Sequence, residues 1–183
     1  MMLGHQKLTT KNQQIGFTLM EILVYMVVLI IIVVAISSFL FWAIKTQAKS
    51  KVMRETLDNT RRAMEIMTYE IREAKDVYEP TSVFDSNPGQ LSLEVAKYLP
   101  TGENASYLDF YLSSGRLSLK KESQNPIYLT SEQVEVSNLI FRKIISNQIP
   151  SIQIEIKADY KNPTGKPEYQ ASVDLRSVIS LRQ

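Results

Sequence analysis

One carboxylate stands where a charge is expensive. Glu21 directly precedes Ile22–Ile44, twenty-three residues with no charged side chain and one small polar pair, Ser37-Ser38. A charge at the centre of a bilayer costs about 2.5–3.5 kcal/mol, and less near its edge. Two chemistries fit such a group. It can lie at the interface, favoured by the positive end of a helix dipole and solvated by headgroups. Alternatively it can pair with a cation supplied from elsewhere, because an unpaired charge in a low dielectric is strongly unfavourable. Catalytic chemistry has much less to stand on. The chain has no cysteine, which excludes thiolate nucleophiles, disulfides and cysteine-based zinc or iron–sulfur sites. Its lone histidine, His5, excludes multi-histidine metal sites. Neither a Walker loop, nor G-x-G-x-x-G, nor G-x-S-x-G occurs. No catalytic residue, cofactor or metal ligand is nominated, and the reading is that the protein is not an enzyme.

The element that carries Glu21 is expected to be a helix. Twenty-three residues at about 1.5 Å each span roughly 35 Å, enough to cross a hydrocarbon core of about 30 Å. A strand usually ends within about 3–10 residues. A secretory signal peptide has a shorter apolar stretch of about 7–15 residues followed by a small-residue cleavage site. The KTQAKSK that follows this span offers no such site. Trp42, with Phe39 and Phe41, sits where an interfacial aromatic belt is expected. Lys7 and Lys11 precede the span, while Lys45, Lys49, Lys51 and Arg54 follow it. That count alone places the C-terminal side in the cytoplasm.

Whole-chain averages conceal this segregation. With 183 residues, 44% hydrophobic and 22% charged, the composition is that of an ordinary soluble domain. The net charge of +2 gives little support to general polyanion binding.

Immediately before the span stands Gly16-Phe17-Thr18-Leu19-Met20-Glu21, followed by Ile22-Leu23-Val24. This resembles the class III signal sequence of type IV pilins, pseudopilins and related minor pilins. Their pattern is a short basic leader ending in Gly, then Phe-Thr-Leu-x-Glu opening an apolar helix. The likeness covers residues 7–44. It implies that residues 1–16 form a leader removed by a membrane aspartic prepilin peptidase, with Gly16 just before the scissile bond. A missing side chain there lets the backbone lie extended in a tight groove. Phe17 is then the new N-terminal residue, N-methylated in the family, and His5 has no mature role. Glu21 is implied to pair with the N-terminal amine of a neighbouring subunit in a helical fibre.

The resemblance overrides the Lys/Arg count. It implies a single-pass protein of the bacterial cytoplasmic membrane, with the C-terminal part outside the cytoplasm and finally in a filament. The implied partners are other pilins or pseudopilins through the N-terminal helix, the processing peptidase, and membrane lipid before assembly. One departure is the absence of the mid-helix proline carried by many major pilins. Ser37-Ser38 can instead bond back to carbonyls and bend the helix slightly.

After the assembly helix, 17–44, residues 45–79 are expected to continue as an amphipathic helix. Met53, Leu57, Thr60, Met64, Met67, Ile71, Ala74 and Tyr78 fall on one stripe. Pro80 is expected to end it. Residues 81–90, TSVFDSNPGQ, carry the turn chemistry of a loop, and beyond it the period becomes two. Leu91–Val95, Tyr107–Leu112, Arg116–Lys120, Ile127–Leu129, Leu139–Ile145, Ile152–Tyr160 and Ala171–Leu181 read as strands. Ser113-Ser114-Gly115 reads as a hairpin turn, and Asn162–Pro167 as the loop joining the last two strands. Asp159 with Asp174 is the one carboxylate pair that cross-strand pairing can offer, and solvated surface charge is the favoured reading of it.

The expected class is α+β, a long N-terminal helix packed on one antiparallel sheet spanning 80–183. Together with the closing SVISLRQ, this looks similar to the J-type minor pseudopilins and W-type minor pilins. The expected function is a minor structural subunit at or near the tip of a pilus-like or type II secretion filament. The alternative is a competence-type minor pilin that binds DNA. Tyr107, Tyr111, Tyr128, Tyr160 and Tyr169, with scattered lysines, would then stack on a single strand.

Overall fold

The computed structural model describes residues 16, 18–97, 102–103, 105–146 and 149–181. The chain falls into two units, one ending at Ile44 and one beginning at Lys45. Helix α1 (Leu19–Glu73) contributes its first part to the former and its second part to the latter. The class is α+β: one long helix with antiparallel sheets of five and three strands.

In the first unit the helix is apolar on every side. All its large hydrophobic residues from Leu19 to Ile44 are exposed among the described residues. An all-round hydrophobic helix is stable only when buried or in lipid, and this one is compatible with a single-pass membrane anchor.

In the second unit the helix becomes one-sided. Val52, Thr56, Thr60, Ala63, Met64, Met67 and Ile71 are buried. Thr56 and Thr60 silence their hydroxyls by donating to the carbonyls of Val52 and Thr56, at 2.8 and 2.7 Å. The expected stripe is correct from Thr60 to Ala74 and displaced near its start. Met53 is 47% exposed, and Val52 is buried in its place. Asn59 supplies the physical reason. Its Oδ1 accepts the Ser131 N–H at 3.0 Å, which fixes the rotation of this stretch against the loop that carries Ser131.

Helix α1 stops at Glu73 rather than at Pro80. Strand β2 (Leu91–Val95) captures the backbone beyond it. Lys75 N–H bonds the Glu94 carbonyl and Tyr78 N–H bonds that of Ser92, so Asp76–Val77 becomes strand β1. The Lys75 ammonium also reaches Glu94 at 2.7 Å, and Lys97 holds Glu73 at the same distance. Pro80 then lies in a single turn of 3-10 helix, Glu79–Thr81.

The first sheet runs in order β1, β2, β3 (Ser106–Ser113), β4 (Arg116–Lys121), β5 (Ile127–Tyr128). Ser114 and Gly115, both at positive φ (52° and 74°), close the β3–β4 hairpin in the geometry that matches strand twist. The second sheet is β6 (Val134–Ser146), β7 (Ile149–Tyr160) and β8 (Ser172–Ser180).

Two sheets stand where one was expected, because the loop before β2 occupies the outer edge of β6. Asp85 and Gly89 donate their N–H groups to the carbonyls of Phe141 and Leu139. Asn87 accepts the Leu139 N–H at 3.1 Å and donates to the Ser137 carbonyl at 3.3 Å, bracing a bulge between Val136 and Asn138. The inner faces of both sheets and the helix stripe nevertheless share one core, centred on Met67, Ile71, Phe110, Phe141, Ile154 and Ile156.

Candidate assembly site

Thr18 opens the helix. Its carbonyl accepts the N–H groups of Glu21 and Ile22 at 3.1 and 3.2 Å, and its hydroxyl accepts Glu21 N–H at 3.3 Å. Thr18 is therefore the N-cap and Glu21 the third helical residue, the T-x-x-E spacing of a capping box. That signal stands in the sequence independently of any family likeness, and it fixes where the helix begins.

The Glu21 carboxylate is half-buried, and its Oε1 accepts a hydrogen bond from the Tyr25 hydroxyl at 2.8 Å, one turn further along. Gly16 lies in open space, with nothing among the described residues within 4 Å of where a Cβ would stand. Phe17 and residues 1–15, with His5, lie outside the described residues. Further along the helix Ser38 donates back to the Val34 carbonyl at 2.9 Å. Phe39 and Trp42 stand with ring centroids 6.0 Å apart near the end of the apolar run.

The residues considered for nucleic-acid stacking fall into two groups: Tyr107, Tyr111 and Tyr128 share the outer face of the first sheet, and Tyr160 and Tyr169 lie at the β7–β8 loop. Tyr107 packs against Tyr78 at 4.7 Å between centroids, and Tyr128 lies 3.9 Å beneath the Arg116 guanidinium. Tyr111 faces Ser118 across the β3–β4 pair. Tyr160 and Tyr169 line a cavity of about 420 Å3 at the β7–β8 loop, beside Gln133, Lys161 and Lys166. There burial first, and then the Glu55 carboxylate, raises the pKa of the Tyr160 phenol.

Asp159 and Asp174 are not cross-strand neighbours. The register sets Asp159 opposite Ser172 and Asp174 opposite Lys157, and Asp159 accepts from the Ser137 hydroxyl at the bulge. The bulge adds one residue to β6, which hands Asp159 a hydroxyl that simple alternation does not foresee.

A further charged cluster went unread in the sequence. On the outer face of the second sheet Glu155 accepts from Arg142 at 2.6 Å and Gln153 at 3.2 Å, with Arg176 at 3.4 Å. Arg142 also reaches Asp85 at 3.3 Å. Its members come from three strands and a loop, so only the register assembles it. Among the described residues no group of three or more His, Asp or Glu is arranged to hold a metal ion. No protein-family model, curated protein or solved structure matches the chain.

Proposed function

We propose that this chain is a minor pilin- or pseudopilin-like subunit, processed after Gly16 and built into a filament through its N-terminal helix. The observation that carries the reading is the joining of three features. Gly16-Phe17 is followed by a capped helix start at Thr18, a carboxylate at Glu21, and an apolar surface left exposed among the described residues. A simple anchor needs only the apolar run. A carboxylate at its head costs stability in lipid and is explained by a cation supplied on assembly. The α+β unit from Lys45 onward would face the neighbouring subunits, as a tip-proximal subunit of the J or W type does. Capture of DNA is the less favoured reading, because the tyrosines divide between the first sheet and the β7–β8 loop and two of them are already engaged by Tyr78 and Arg116.

The test is made in cells that carry the cognate peptidase and assembly machinery. Mass spectrometry of the mature chain is expected to find an N-methylated Phe17 at the N-terminus. Glu21→Ala is expected to leave the chain in the membrane and to lower its share of the sheared filament fraction by about tenfold or more, the scale of one lost charge-assisted interaction. A chain that still begins at Met1, or a Glu21→Ala chain that enters filaments at the normal level, would overturn the reading.

A further inference from the structure

Tyr25 is the one hydroxyl-bearing residue between Glu21 and Ser37. The residue is 56% exposed among the described residues. A phenol within an apolar helix surface is unfavourable unless its O–H finds a partner. Here it has one: Glu21 Oε1, at 2.8 Å. The order of the two residues makes this possible. Helix side chains lean toward the N-terminus, so a long side chain at position i+4 lies over the turn that carries position i. Tyr25 is thereby aimed at Glu21, and the two share one face of the helix.

We propose that Tyr25 is a positioning residue for the Glu21 carboxylate. The inference rests on the reading of Glu21 as the assembly carboxylate. By occupying Oε1, the phenol holds the carboxylate in one rotamer against the helix and leaves Oε2 for the ammonium of a neighbouring subunit. Before assembly it supplies a donor where lipid supplies none, so the lone subunit carries less of the cost of its charge. During assembly the carboxylate has fewer rotamers to give up, which favours docking without adding a contact.

A plain interfacial aromatic would need the ring of Tyr25 but not its hydroxyl. Tyr25→Phe separates the two, since it keeps the ring and removes only the donor. In the full-length chain, filament incorporation is compared among wild type, Tyr25→Phe, Glu21→Gln and the double variant. Tyr25→Phe is expected to lower incorporation about tenfold, the scale of a hydrogen bond to a charged group. In the Glu21→Gln background the same change is expected to have less than about a twofold effect, because residues acting through one interaction are non-additive.

Normal incorporation of Tyr25→Phe alongside a defective Glu21→Gln overturns the positioning role and leaves the assembly reading standing. Equal losses in both backgrounds also overturn it, since the Tyr25 hydroxyl then acts through a partner other than Glu21. Normal incorporation of Glu21→Gln removes the assembly carboxylate and this inference with it. A second measurement needs no assembly. Isotope-edited infrared spectra of the purified chain in lipid nanodiscs, labelled at glutamate carboxylates, identify the Glu21 band as the one lost in Glu21→Gln. That band is expected to shift in Tyr25→Phe, and an unmoved band overturns the inference.

Discussion

Glu155 shows how a single charge is kept on a sheet face. Its side chain is only 9% exposed. The hydrogen bond from Arg142 is the main reason its carboxyl is held below the usual carboxylate range; burial opposes this, and the charges of Arg142 and Arg176 and the Gln153 amide support it. A carboxyl held low in the folded state contributes stability that is full above its unfolded-state pKa of about 4.3. That contribution is lost as pH falls through the folded-state value. Glu155→Gln is therefore expected to lower the Tm near pH 7, and the gap from wild type should narrow steadily as pH drops from about 5 to about 3. Thermal unfolding followed by circular dichroism across that range is the check, and a gap that stays constant would show that the charge contributes nothing. Residue-scale legibility was uneven for a physical reason. Glu21 announced itself because a charge beside an apolar run is a sharp local contrast. Tyr25 did not, because an aromatic raises no contrast in an apolar helix and its role depends on a four-residue spacing. Glu155 depends on strand register, which no local pattern encodes.

At the scale of elements, periodicity revealed where helix and strands lie but not how they are turned or where they yield to one another. Ile152, Ile154, Ile156 and Ala158 alternate in the sequence and are all fully buried, because a strand's period of two puts all four on one face, and that face turns to the core. The helix stripe was ambiguous by one residue. Neighbouring positions on a helix surface differ by about 100°, so Val52 and Met53 present comparable cases until Asn59 fixes the rotation. The end of α1 was misread for a different reason. The pattern through Tyr78 is helical in period, yet β2 offers the Lys75 and Tyr78 N–H groups acceptors that do not need the helix. Two methionines expose the difference between pattern and packing. Met67→Ala, at a fully buried position, is expected to cost about 2–5 kcal/mol, whereas Met53→Ala, nearly half exposed, should stay within about 0.5 kcal/mol. Urea titration of the two variants measures both, and equal losses would mean that the stripe is rotated from the position described.

For the molecule as a whole, the hydrophobic residues are spent in two ways: up to Ile44 they face outward, and from Lys45 they close a core of their own. Removing residues 1–44 takes away the exposed apolar surface and leaves that core intact. The 45–183 chain is therefore expected to be soluble without detergent. Although it contains two sheets, it should unfold in one transition, because both sheets and the helix stripe contribute to the same apolar cluster. Asn87 is where this unity can be probed. Its carboxamide joins the loop before β2 to the bulged β6, satisfying the Leu139 N–H and the Ser137 carbonyl. Asn87→Ala leaves both without that partner and is expected to cost about 1–3 kcal/mol. Asn87→Asp retains the acceptor for Leu139 and should lose less. If the sheets were held together chiefly by this loop, the Ala variant would separate unfolding into two steps. Sharing of the core predicts instead a single transition at a lower midpoint, with tyrosine fluorescence and far-ultraviolet dichroism coinciding. Two resolved transitions in either chain would show that the second unit is two folding units rather than one.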